Sequence, residues 1–326
     1  MAPRLGRLIS GLEQVLDARI SECAEIAGGP RISHFRLRLA DGRAAFAKVV
    51  PGHAQAGQAA DEPDPRRAAS FPAGLDLSAQ PMTGGQFEAE ARGLGWLAEA
   101  DAVPVARVLA CANWALVTEW VPAEPASAPA AEQFGRELAQ LHAARADGFG
   151  SAWPGFIAGL TLGDERAESW PEWYAAQRLL PFAALAASQG TLRPDDLALV
   201  EAAAAQTAAL AGPAEPPSRI HGDCWSGNVL WSGGRCVLID PAAQGGHRET
   251  DLAMLALFGA PQLDRILAGY QEVAPLGPGW RDRVALHQLH PMLVHACLFG
   301  TLYRHAVLDR ARAVLTAAKS TGQVSG

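Results

Sequence analysis

Leu5, Leu8, Ile9, Leu12, Val15, Leu16 and Ile20 recur at helical spacing, which predicts an amphipathic helix over residues 5 to 20. The pattern then changes. ISHFRLRLA and RAAFAKVV alternate on either side of Asp41-Gly42, the signature of a β-hairpin closed by a tight turn. Residues 51 to 81 are rich in Pro, Gly, Ala and Asp without any period and read as a long loop. Helical spacing returns over 85 to 100, with Phe87, Leu94 and Leu97 apolar, and VARVLAC and WALVTEW follow as two strands ending at Pro122. Beyond the Pro/Ala-rich VPAEPASAPAAE the chain reads as mostly helix, through FGRELAQLHAAR, 169 to 189 and 194 to 211. Two short strands interrupt it, RIH with its loop and CVLID. Three or four helices, several apolar enough to be buried, run from Asp251 to Lys319. The expectation is an α+β protein of two parts: a strand-rich one over residues 1–121 and a helical one with an embedded β-hairpin over 122–326.

Composition narrows the class. A chain of 326 residues is long enough for two packed lobes. Its formal charge of −7 argues against a nucleic-acid or anionic-membrane partner and suits a neutral or cationic small substrate. Five scattered cysteines, never spaced C-x-x-C, give neither a disulfide framework nor a zinc site and fit a reducing compartment. The N-terminus lacks an apolar core with a cleavage site, and no apolar run is long enough to span a bilayer, so a soluble cytoplasmic protein is expected.

The candidate chemistry lies in RIHGDCWSGNVLWSGGRCVLIDPAAQGG, residues 219 to 246. Acidic groups beside apolar strands are costly unless they bind something. Asp223 precedes Asn228 by five positions, and Asp240 follows twelve later. Protein kinases place a proton-accepting Asp, an Asn and a metal-binding Asp in this order. On that logic Asp223 is the catalytic base, while Asn228 and Asp240 supply hard oxygen ligands for Mg2+ beside the phosphates of ATP. Gly227 lets the loop turn. The alternative is that Asp223 and Asn228 are turn-capping residues only.

Such chemistry needs a cation for phosphate, and the chain holds just two lysines, Lys48 and Lys319. Lys48 sits in the second strand of the N-terminal hairpin, among apolar neighbours, where a kinase-type lysine belongs; an exposed strand lysine is the other reading. Its carboxylate partner is expected to be Glu90, with Glu88 second. No G-x-x-x-x-G-K-[ST] occurs, which excludes a Walker-type ATPase. Gly28 and Gly29, in the turn GGPRISH, could cover phosphates with backbone N–H groups or be an ordinary turn. LVTEWVP resembles a hinge whose backbone near Glu119 and Val121 would meet adenine, or is merely a strand end.

HGDCWSGNVLW, LIDPAAQGGHRETDLAMLALFG, QFEAEARGLGWL and LHQLHPMLVHACLFG together resemble the fructosamine/ketosamine-3-kinase family, relatives of the aminoglycoside phosphotransferases. The resemblance covers most of the chain and is weakest over 51 to 81 and 150 to 168. It implies a bilobal protein-kinase-like fold, with a small antiparallel β-sheet lobe carrying one key helix for nucleotide and a larger, mainly helical lobe for catalysis and acceptor. It implies ATP- and Mg2+-dependent phosphorylation of the O3 hydroxyl of fructosamines, ribulosamines or related ketosamines, small or protein-linked. The product is unstable and releases the amine, a deglycation repair. Carried across, Asp223 is the base, Asn228 and Asp240 the metal ligands, Lys48 the phosphate contact and Glu90 its orienter. The acceptor side takes His221, Trp225 as an aromatic wall for the sugar (or as core), and Arg248, which could instead brace the metal loop with His247 and Glu249. Cys224 departs from the Leu of many members and reads as an inert filler. PGFIAGLTLGDERAESW lacks two family asparagines near the acceptor, which leaves an aminoglycoside or amino alcohol as the alternative substrate. A third reading, a protein that binds nucleotide and a partner without turnover, is opposed by the complete set Lys48, Glu90, Asp223, Asn228 and Asp240.

Overall fold

In a computed structural model, the chain is described over residues 2–28, 32–50, 85–163, 165, 167 and 169–324. Helix α1 (Ala2–Leu16) is followed by strands β1 (Ile20–Gly28), β2 (Ser33–Leu39) and β3 (Ala44–Val49). Helix α2 (Gly85–Ala98) precedes β4 (Val108–Ala112) and β5 (Ala115–Glu119). The five strands form one antiparallel sheet in the order β1-β2-β3-β5-β4. Leu8 and Leu12 of α1 cover it, packing on Phe35, Leu37, Ala47 and Val117. Alternation in β2 turns Phe35, Leu37 and Leu39 inward and Arg36 and Arg38 outward.

Two expectations need correction here. The first helix stops at Leu16, because Asp17 turns left-handed (φ 49°), and Ile20 opens a strand whose N–H is held by Glu13 Oε1 at 2.9 Å. That strand, β1, is a member of the sheet with no counterpart in the sequence reading. The loop expected over 51 to 81 lies outside the described residues.

After β5 the chain becomes mainly helical: α3 (Ala128–Ala143), the small hairpin β6 (Gly155–Ile157) and β7 (Leu160–Leu162), α4 (Trp170–Tyr174), α5 (Leu180–Ser188), α6 (Pro194–Ala204) and α7 (Thr207–Leu210). Strands β8 (Ser218–Ile220), β9 (Val229–Ser232), β10 (Arg235–Leu238) and β11 (Gln244–Gly246) come next. Helices α8 (Glu249–Leu257), α9 (Leu263–Val273), α10 (Trp280–Phe299) and α11 (Arg304–Val324) complete the chain. CVLID does not pair with RIH: β10 pairs with β9, and β8 pairs with β11. The loop from His221 to Asn228 therefore bridges two small sheets.

The helix expected over 169 to 189 is interrupted by a π-helical turn, Ala175–Leu179. Pro181 has no N–H to give the carbonyl of Gln177. The Arg178 guanidinium donates to that carbonyl instead, at 2.8 Å. Pro291 creates the same vacancy within α10, and the Tyr174 hydroxyl donates to His287 O at 3.1 Å. Prolines in both helices thus leave carbonyls that recruit side-chain donors.

The helical part docks against the sheet through the β9–β10 hairpin. Ala106 N–H donates to Leu238 O and Leu238 N–H to Pro104 O, both at 2.9 Å, while Glu124 N–H reaches Trp231 O at 2.8 Å. This backbone seam puts Asp240, at the end of the hairpin, beneath Lys48 of the sheet.

Candidate active site

Gly222 begins the loop with φ +80°, and a Cβ there would lie 2.2 Å from Ala242 O. Only glycine gives both the left-handed turn and the close approach. The N–H groups of His221 and Gly222 then donate to one carboxylate, Asp251 of α8, at 2.7 and 2.9 Å. Asp251 is fully buried and also meets His142 Nε2 at 3.2 Å, and His142 Nδ1 meets the Tyr270 hydroxyl at 2.8 Å. Burial would raise the Asp251 carboxyl, but His142 and His221 hold it below the usual range. The sequence reading gives Asp251 no role. The signal is an acid directly before the apolar run LAMLAL, in the first turn of the helix.

His221 is sealed from solvent. Its Nε2 donates to Ile239 O at 2.8 Å and its Nδ1 accepts the Asp223 N–H at 3.2 Å. Burial keeps the ring neutral, so His221 props the loop from behind and does not face an acceptor. Arg248 is corrected likewise. It forks onto Glu215 at 2.7 and 2.8 Å and donates to Ala274 O and Pro275 O, away from the cleft. His247, Glu249 and His287 bring ligand-type atoms within 4.8 Å of one another, but Arg283 grips both Glu249 oxygens, at 2.8 and 2.5 Å. That group is a charge-balanced brace.

At the loop's centre, the Asn228 amide nitrogen donates to Asp223 O and Asp223 Oδ2, both at 2.9 Å, and to Asp240 O at 3.4 Å. Its Oδ1 takes part in none of these three bonds. Asp240 adopts φ 54°, a left-handed conformation that Asp tolerates better than most residues. Lys48 Nζ lies 2.7 Å from Asp240 Oδ1 and 2.8 and 2.9 Å from the two oxygens of Glu90. Removing such charges from water costs several kcal/mol each, so the cluster persists only because they compensate one another. Burial lowers the Lys48 ammonium, but the two carboxylates outweigh it and hold it above the ordinary lysine range. Glu88 instead pairs with Arg92 at the surface, at 2.6 Å. Burial pushes Asp223 up to about 7, opposed by the Asn228 hydrogen bond and assisted by Asp240 and Asp251.

Lys48, Glu90 and Asp240 separate two hollows. One is apolar, walled by Phe46, Leu116, Leu230 and Ile239 and edged by Glu119 and Val121. The other contains Asp223 and Asn228 and is walled by Trp153, Phe156 and Trp225. Trp225 is not core, being 38% exposed. Gly227 has a steric purpose rather than the conformational one expected of it: a Cβ would sit 2.3 Å from the Trp225 ring. Cys224 is buried, and burial pushes its thiol well above the usual range, which makes it a packing residue. Gly28 ends β1, and Gly29 lies outside the described residues.

A family model described as fructosamine kinase matches residues 78–317. This chain belongs to the fructosamine kinase family. A probable ketoamine kinase of Synechocystis sp. is 33% identical over 229 residues, covering 67% of this chain and 75% of the relative. The crystal structure of a candidate fructosamine-3-kinase from Thermobifida fusca superposes with a TM-score of 0.82 at 44% identity, covering 95% of this chain and 98% of that one. A macrolide 2'-phosphotransferase from Brachybacterium faecium has a TM-score of 0.55 at 16% identity, covering 95% and 98%, a likeness of fold alone. Members of the fructosamine kinase family are small-molecule kinases, and this one is a phosphotransferase with an alcohol group as acceptor on a kinase-like α+β fold. Among the described residues no helix is long and apolar enough to cross a membrane.

Proposed function

We propose that this fructosamine kinase family member uses ATP and Mg2+ to phosphorylate the O3 hydroxyl of fructosamines or ribulosamines, the first step of a deglycation repair. The observation that carries the reading is the meeting of Asp223, Asn228, Asp240, Lys48 and Glu90 at the joint between an apolar hollow and an aromatic-walled one. The apolar hollow suits a nucleobase, with backbone groups near Glu119 and Val121 in reach of its edge. Lys48, charged and aimed by Glu90, faces phosphate. The Asn228 Oδ1 and the Asp240 carboxylate are hard oxygen donors suited to Mg2+, which when bound would neutralise phosphate charge.

Asp223 takes the acceptor proton. With its carboxyl near 7, a large share is deprotonated at neutral pH yet basic enough to accept a proton as the hydroxyl reacts. Asn228 fixes the carboxylate's direction, and the Asp251 contacts fix the backbone that carries it. Trp225 offers its face to the sugar ring.

The test is ADP release with a fructosamine and a ribulosamine, with Asp223→Ala alongside. Magnesium-dependent release that the variant abolishes is expected. Nucleotide binding without turnover of either compound would shift the search to amino alcohols and aminoglycosides.

A further inference from the structure

The outer lip of the acceptor hollow is formed by Trp225, Leu298 and Phe299. From that lip the apolar surface continues outward. Trp225 meets Phe258 edge-on at 6.0 Å, Phe258 meets His295 at 5.3 Å, His295 meets Phe299 at 5.6 Å and Tyr303 at 4.8 Å. Three of these rings are substantially exposed, Trp225 at 38%, Phe258 at 40% and Phe299 at 51%, and Leu302, in the 3-10 turn that follows Phe299, is 79% exposed. Single exposed apolar side chains are ordinary; a run of rings in edge-on and tilted contact leading out of a polar site is not. Beyond Trp225 the run is borne by the C-terminal end of α8, by α10 and by the turn that follows it.

We infer that this ledge binds the substituent on the acceptor's amine, and that the enzyme favours ketosamines of bulky apolar or aromatic amines. The inference rests on the ketosamine reading above. With O3 at Asp223, the nitrogen lies along the chain through C3, C2 and C1, so whatever it carries must leave the hollow near Trp225. The other end of the sugar is a run of hydroxyls, which requires polar partners and gains nothing on an apolar ledge. The amine substituent is the part of the acceptor whose burial there is favourable. Neither Phe258 nor Leu302 lines the hollow that holds Asp223, so the readout for both is the ratio between acceptors.

Fructosamines made from glycine, leucine and phenylalanine carry the same charges and differ in apolar area, which makes them the probes. The expected kcat/KM for the phenylalanine adduct exceeds that for glycine by about tenfold or more, with leucine between them, since comparable apolar groups are worth factors of this order in substrate selection. Phe258→Ala and Leu302→Ser should each lower that ratio by severalfold. Leu302, four-fifths exposed, can be changed without endangering the fold. Equal turnover of the three adducts, or a preference that survives in both variants, would overturn the inference and leave the ketosamine reading intact. Turnover of none would remove both.

Discussion

Asp223, Asn228 and Asp240 share hydrogen bonds within one short loop and its neighbour, yet the proposed mechanism gives each a separable task. On the proposed mechanism, Asp223→Asn removes the proton acceptor and keeps the oxygen donors of Asn228 and Asp240. The expected loss in kcat is about 100- to 10,000-fold, the usual scale for a general base, with nucleotide affinity changed little. Titration with a nucleotide analogue beside steady-state rates checks this, and a matching loss of nucleotide affinity would contradict it. Gly227→Ala tests the other wall. Its Cβ must push the Trp225 ring aside, so kcat/KM for the acceptor should fall by up to about 100-fold while the KM for nucleotide holds. These residues were legible because chemical type and isolation marked them: a lone lysine in an apolar strand, two acids among strands. His221 and Arg248 were placed on the acceptor side because proximity in sequence says nothing of direction, and both point into the fold.

At the scale of elements, glycine lets the backbones of α3 and α9 approach each other closely. A Cβ on Gly135 would lie 2.0 Å from Ile266 O, and one on Gly269 would lie 2.1 Å from Glu132 O. The two glycines face each other's helices, and α3 also brings His142 to the Asp251 node. Gly135→Ala should therefore cost about 1–3 kcal/mol, as overpacking does, despite alanine's better helix propensity. Urea unfolding would show a lower midpoint; a higher one would mean the helices part without penalty. Most long elements were readable from period, but β1 was not. It is an edge strand with register shifts at Ile20/Glu22 and Glu25/Ala27, and such bulges erase the period-two signal. The pairings of β8 and β10 are not legible for a related reason: three- and four-residue strands hold too few positions for any pattern.

Over the whole molecule, buried histidines set the response to acid. Burial lowers His221, His287 and His290 and takes His247 down to about 3. The unfolded chain protonates these rings near 6.5. Between that pH and about 3 it binds protons that the native His247 refuses, so stability is complete above 6.5 and declines as pH falls. Asp223 and Glu90, raised by burial, act in the opposite sense, but they are two against four. The melting temperature should stay level from pH 8 to 7 and drop steadily from 6.5 to 5; a level profile to pH 5 would refute the argument. The bilobal plan could be read from sequence because strands and helices segregate along the chain. The Asp251 node could not, since it joins β8, α3 and α8 across residues far apart in sequence.

Lys48 has one more consequence. Of the two side-chain amines in the chain, Lys319 is exposed, whereas Lys48 is 7% exposed and tied to carboxylates from α2 and from the β10–β11 turn. An acylating reagent therefore meets one ordinary target and one guarded target. Lys319 should react at the pace of a free amine, and Lys48 only in the moments when sheet, helix and turn separate. Mass spectrometry of the two labelled peptides would make the slower rate a clock for the breathing of the cleft, with the faster one as its internal standard. If Lys48 were labelled as fast as Lys319, the cleft would have to stand open most of the time.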